Sequence, residues 1–194
     1  NTSFAEKALL RAAEINYERK DCQRALTFYD GLVRRAQLPA NILTAWTGLM
    51  RCRHLLGMHQ DALEAGAEIL RNERAPEKLL TEAHLITAKS YLSMGDSLAA
   101  QKSFRITYRL SSGAMGAEAM YYDALILFHQ NQVSKAEKTV FDLIEKYQSQ
   151  DHWMARAFLL LADIYLAQGN TFQARQTLQS IIDNHDGLDL VREA

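Results

Sequence analysis

From Phe158 onward, apolar side chains recur at Phe158, Leu161, Ala162 and Tyr165. That spacing of three and four gathers them on one face of a helix, and the pattern predicts that this face is buried. Gly169 interrupts the run where a left-handed residue would end the helix, and Asn170-Thr171 supplies cap chemistry for a second one. Apolar residues resume on a helical face at Ala174, Leu178 and Ile181. The segment reads as a helical hairpin, with Ala162 and Ala174 small enough to let its two helices approach and Tyr165, Leu178 and Ile181 filling the space around them.

The same pattern recurs along the chain. An offset of 74 residues superimposes Ala88 on Ala162, Tyr91 on Tyr165, Gly95 on Gly169 and Ala100 on Ala174. The small residue of the second helix returns at Ala25, Ala62, Ala100, Ala136 and Ala174, so the offset is two repeat lengths and about five units fill the chain. Their expected bounds are residues 1–37, 38–75, 76–112, 113–150 and 151–187, with residues 188–194 starting a further helix, as in a piece of a longer protein. Three units depart from the pattern. The first has Lys20 in place of the turn glycine and Asn16 in place of the aromatic residue; the fourth has Asn131 and Leu127 there. The second keeps Trp46, Gly57 and Ala62 but has Met50 and Arg53 at the small and aromatic positions.

A small residue, an aromatic three positions on, a Gly-Asn or Gly-Asp turn, and an alanine five beyond the glycine together resemble the tetratricopeptide repeat. The motif is clearest at Ala88, Tyr91, Gly95 and Asp96 and at Ala162, Tyr165, Gly169 and Asn170. The resemblance spans essentially the whole chain and implies an all-α fold: one right-handed superhelical solenoid of about five antiparallel helix-turn-helix repeats. It also implies a protein-interaction scaffold rather than an enzyme. The units run longer than the family's usual period of about 34. That spacing, with Ala174 to Asn184, resembles the repeats of bacterial cell-envelope proteins and implies a periplasmic location, with the cytoplasm as the alternative.

Composition agrees with helices. Two prolines and nine glycines leave few interruptions. The net charge of −1 gives no overall case for nucleic acid, although residues 1–113 carry +4 and residues 114–194 carry −5. No apolar run approaches the roughly 18 to 20 residues of a transmembrane helix. Cys22 and Cys52 form no Cys-x-x-Cys pair and read as small packing residues. The six histidines include no His-Glu-x-x-His motif and no i, i+4 pair, and the chain lacks phosphate-loop and serine-elbow motifs. No metal, cofactor or catalytic residue is therefore expected.

In stacked repeats of this family the first helix of each unit lines the concave face, and its outward positions meet ligand. The register places Tyr17, Arg51, His54, Lys89, Leu92, Tyr121, Leu125, Phe128, Leu159 and Leu166 there as the expected contacts for a peptide or helix of a partner protein. Tyr121, Leu125 and Phe128 are expected to form a solvent-facing aromatic and aliphatic stripe, whose size would ask for a cover. Arg51 and Lys89, on successive units, would attract an acidic peptide, although the residues of the family's carboxylate clamp are not assembled. The alternative is a spacer or dimerisation segment whose groove is filled by its own chain or by a second copy, as a homodimer.

Overall fold

The computed structural model describes residues 2–184, with side chains from Phe4 to Asp183. The expected helix start at residues 188–194 lies outside them. Among the described residues are ten α-helices: α1 (Thr2–Glu18), α2 (Cys22–Arg35), α3 (Pro39–Leu55), α4 (His59–Leu70), α5 (Glu77–Ser93), α6 (Ser97–Leu110), α7 (Ala114–His129), α8 (Val133–Lys146), α9 (Asp151–Ala167) and α10 (Thr171–Asn184). Short turns join them in pairs, so the first helix of each hairpin is odd-numbered.

Each turn inside a hairpin carries one left-handed residue. These are Lys20, Gly57, Gly95, Asn131 and Gly169, with φ of 61°, 74°, 83°, 58° and 77°. A Cβ at any of the three glycines would meet nothing within 4 Å. Glycine is therefore favoured there by backbone conformation and not by space, and Lys20 holds the same conformation against the steric preference of an L-residue. Asp21 and Asp96 cap the helices that follow them, accepting from the backbone N–H of Arg24 at 3.1 Å and of Ala99 at 2.9 Å. At the last turn the Asn170 amide instead donates to the Gln173 side chain.

Contacts gather into two compact units, Asn1–Ser103 and Phe104–Ala194, whose boundary falls within α6. In the first unit, helices adjacent in sequence from α1 to α5 pack on one another, and α3 also meets both α1 and α5. Its core gathers Ala13, Ala25, Tyr29, Leu32, Leu49, Met50 and Ile69. In the second unit α7 packs on α8 and α9, α8 on α9, and α9 on α10, around Ala124, Ala136, Val140, Leu143, Tyr147, Leu161 and Ile164.

The departures from the repeat pattern have local explanations. Met50 is fully buried where other hairpins carry alanine, and across from it stands Gly66, where other hairpins carry a large residue such as Tyr29 or Val140. A Cβ on Gly66 would lie 3.6 Å from the Met50 sulfur and 3.0 Å from Thr87 Oγ1, so the long side chain occupies space that glycine leaves. Arg53, at an aromatic position, instead reaches Asp30 of α2 at 3.5 Å and donates to the Asp61 carbonyl of α4 at 3.2 Å. Asn16 donates to the Ala12 carbonyl within its own helix.

Candidate functional site

A groove of about 700 Å³ opens in the first unit. Glu14, Tyr17 and Glu18 of α1 line one wall, and Lys78, Leu79 and Glu82 of α5 line the other, next to Pro76. Between them α3 presents Ala40, Leu43, Thr44, Thr47, Gly48 and Arg51. These positions recur at three and four, so one stripe of α3 faces the groove. Tyr29 of α2 joins the lining beside Gly48, where any Cβ would fall 2.2 Å from the phenol ring. Glycine at this position is what lets the ring lie against α3.

The polar groups of the groove are arranged unevenly. Arg51 donates to both Glu82 carboxylate oxygens, from Nε and an Nη, each at 2.6 Å. This bidentate pair joins α3 to α5, and the hydrogen bonds that Arg51 donates to Glu82 are the first cause that raises the guanidinium pKa. Thr44 and Thr47 donate their hydroxyl protons to the carbonyls of Ala40 at 2.9 Å and Leu43 at 2.8 Å, so each turns only acceptor lone pairs outward. Burial is the main cause that pushes Tyr29 up to about 12, with Cys52 and the Glu14 carboxylate adding to it. Burial also raises Tyr17, against the opposing charge of Arg51. Both phenols thus keep their protons across the physiological range.

Of the residues expected on the concave face, Tyr17 and Arg51 line this groove; His54, Lys89 and Leu92 are not among its lining residues. His54 Nδ1 lies 2.9 Å from the Ser90 hydroxyl, and burial first, then the Lys89 charge, lowers its pKa. The expectation of two cations offered to an acidic peptide needs correction at Arg51, whose charge Glu82 already engages.

In the second unit the expected solvent-facing stripe is largely packed. Tyr121 is only 9% exposed and belongs to the core; its ring centroid lies 5.4 Å from that of Tyr122 and 5.6 Å from that of Trp153 on α9. Tyr121 is thus corrected from a groove contact to a buried one. Leu125 and Phe128 are half-buried against the same core, Leu159 is half-buried, and Leu166 stands 51% exposed.

Other features were not anticipated from sequence. Asp123, 2% exposed, accepts from Arg105 Nε at 3.1 Å and from the Tyr108 hydroxyl at 3.3 Å, tying α7 to α6. Glu6 receives the Asn41 side chain and the Gln37 N–H, both at 2.9 Å, and these bonds, Asn41 first, hold its carboxyl below the usual range. The two cysteines, read from sequence as small packing residues, are buried in one core, and burial first, then neighbouring Cys22, pushes the Cys52 thiol far up. Among the described residues no helix is long and apolar enough to cross a membrane, and no group of three or more His, Cys, Asp or Glu could hold a metal ion.

Comparison with known proteins agrees with the repeat geometry. One tetratricopeptide repeat model matches residues 7–36 and 156–187, and a second matches residues 87–152. Together these stretches take in well over half of the sequence, and the chain belongs to the tetratricopeptide repeat family. No curated protein matches it in sequence. Among solved structures it is similar to YrrB, described as a TPR protein with an unusual peptide-binding site, at 18% identity and a TM-score of 0.69, covering 95% of this chain and 89% of that one. It is similar to MamA at 16% identity and a TM-score of 0.73, covering 88% and 92%. TTC0263, a thermophilic TPR protein in Thermus thermophilus, matches at 18% identity and a TM-score of 0.60, covering 97% and 96%. At these identities the likeness is one of fold. Proteins of this family are in general non-enzymatic scaffolds for protein–protein interaction.

Proposed function

We propose that this chain binds a peptide or helical segment of a partner protein in the groove of its first unit. The observation that carries the reading is the groove itself. It is an open concavity of about 700 Å³ framed by the first helices of three successive hairpins, with apolar lining and a few fixed polar groups. YrrB, of the same fold, is described as having a peptide-binding site, which supports the class of ligand.

The test is to fill the groove. Thr44 is half-buried on the α3 stripe, and Thr44→Trp places an indole in the concavity. Proteins crosslinked to the wild-type chain in source-cell extract are expected to map onto α1, α3 and α5 and to disappear with Thr44→Trp, while circular dichroism stays unchanged. Crosslinks that ignore this substitution would sink the proposal.

A second reading, self-association, draws on the second unit, where Phe141, Leu166 and Phe172 are exposed. It predicts concentration-dependent mass in sedimentation, abolished by Leu166→Lys/Phe172→Lys. The envelope location rests on the repeat spacing and the resemblance of Ala174 to Asn184, and is tested by whether protease added to spheroplasts digests the chain.

A further inference from the structure

Resting on the groove reading above, we propose that the ligand is a basic segment: a peptide that seats an apolar side chain against α3 and presents Lys or Arg to the α1 wall. The charges that frame the groove are Glu14, Glu18 and Glu82 against Arg51 and Lys78. Arg51 and Glu82 engage each other bidentately, which leaves two carboxylates on α1 facing one ammonium on α5. Glu14 and Glu18 are four residues apart on one helix, so both point to the same side, one turn from each other.

Glu14 meets Arg11 at 3.6 Å, but both side chains are substantially exposed, and an arriving cation displaces such a pair at little cost. The acceptor character continues onto α3. Thr44 and Thr47 have already given their protons to the backbone and offer lone pairs only. A cationic side chain with several N–H donors complements carboxylates and hydroxyl acceptors together, whereas an acidic peptide would meet like charge at α1 and find Arg51 already held by Glu82. Between the walls, Leu43, Leu79 and the Tyr17 and Tyr29 rings supply the apolar seat.

The test is a selection of random dodecapeptides displayed on phage, against the full chain and in parallel against Thr44→Trp and Glu14→Lys/Glu18→Lys. Peptides recovered on the wild type but not on Thr44→Trp are expected to carry Lys or Arg within three residues of a large apolar residue, and Glu14→Lys/Glu18→Lys is expected to turn that preference acidic. A synthetic copy of the leading sequence should bind the wild type about tenfold more tightly than Glu14→Gln/Glu18→Gln in fluorescence anisotropy, the difference shrinking as salt rises. These glutamates are on a solvent-accessible wall, and circular dichroism checks that the variants keep their helices. Groove-dependent peptides without a basic preference would overturn the inference and leave the groove standing as a binding site. If no peptide depends on the groove, the functional reading fails and takes this inference with it.

Discussion

The two units place different chemistry at corresponding points of the repeat. Counting on by 74 residues, Thr47 corresponds to Tyr121, Gly48 to Tyr122 and Leu79 to Trp153. In the first unit the small set leaves a groove of about 700 Å³; in the second the aromatic set packs ring against ring, with Trp153 5.6 Å from Tyr121 and 6.2 Å from Tyr122. The ion pair changes in the same way, since Arg51 and Glu82 correspond to Leu125 and Arg156. One backbone design thus yields an open acceptor-lined concavity or a packed aromatic cluster, and side-chain volume at three positions separates them.

Exchanging those positions breaks the comparison most directly. Tyr121→Thr/Trp153→Leu removes two large rings from one cluster and should cost about 4 kcal/mol in urea unfolding. The reciprocal Thr47→Tyr/Leu79→Trp should fill the first groove, abolishing peptide binding in anisotropy while keeping the helical circular dichroism. Retention of peptide binding by that variant would show that the concavity is not where ligand sits.

Next comes a position where the second unit has no room. A Cβ on Gly116 would fall 2.1 Å from the Ser111 carbonyl oxygen and 2.5 Å from the Tyr147 hydroxyl, which itself donates to that carbonyl at 2.9 Å. Gly116→Ala is expected to cost about 3 kcal/mol by the same denaturation, since backbone must shift to admit the methyl group.

A smaller effect of opposite sign belongs to the first unit. Lys20→Gly relieves a left-handed lysine and should stabilise by about 1 kcal/mol, whereas Gly169→Ala in the second should destabilise by about the same amount.

The smallest effect is one of pH. His54 and His84, both in the first unit, have pKa values lowered from 6.5 mainly by burial. A lowered folded-state pKa means that the unfolded chain binds more protons as pH falls through the ordinary value, so stability is present above about 6.5 and declines below it. The replacement His54→Gln/His84→Gln should flatten the thermal-midpoint profile between neutral and mildly acidic pH. An unchanged profile would rule out these two rings as its source.

The fold was legible because it rests on local signals. Five turn positions could be read from three glycines, an asparagine and a lysine, and the small alanines marked where helices meet. The site was legible only in part. Helical register fixes the direction in which a side chain leaves its helix, and Tyr17 and Arg51 both line the groove of the first unit. It could not say what the next hairpin lays across that direction. Trp153 covers Tyr121 from 32 residues away, and Glu82 engages Arg51 from 31. Asp123 gave no sequence signal beyond a lone carboxylate in an apolar stretch, which in hindsight asks for a cation nearby.

Met50 and Gly66 carry a lesson about sequence drift. Shortening Met50 alone leaves a hole, and enlarging Gly66 alone drives a side chain into Thr87 and the methionine sulfur. Each single step toward the alanine and large-residue arrangement of the other hairpins is expected to be harmful, and shortening Met50 offsets part of the cost of enlarging Gly66. The pair is therefore expected to show epistasis, the double exchange costing less than the two single ones summed.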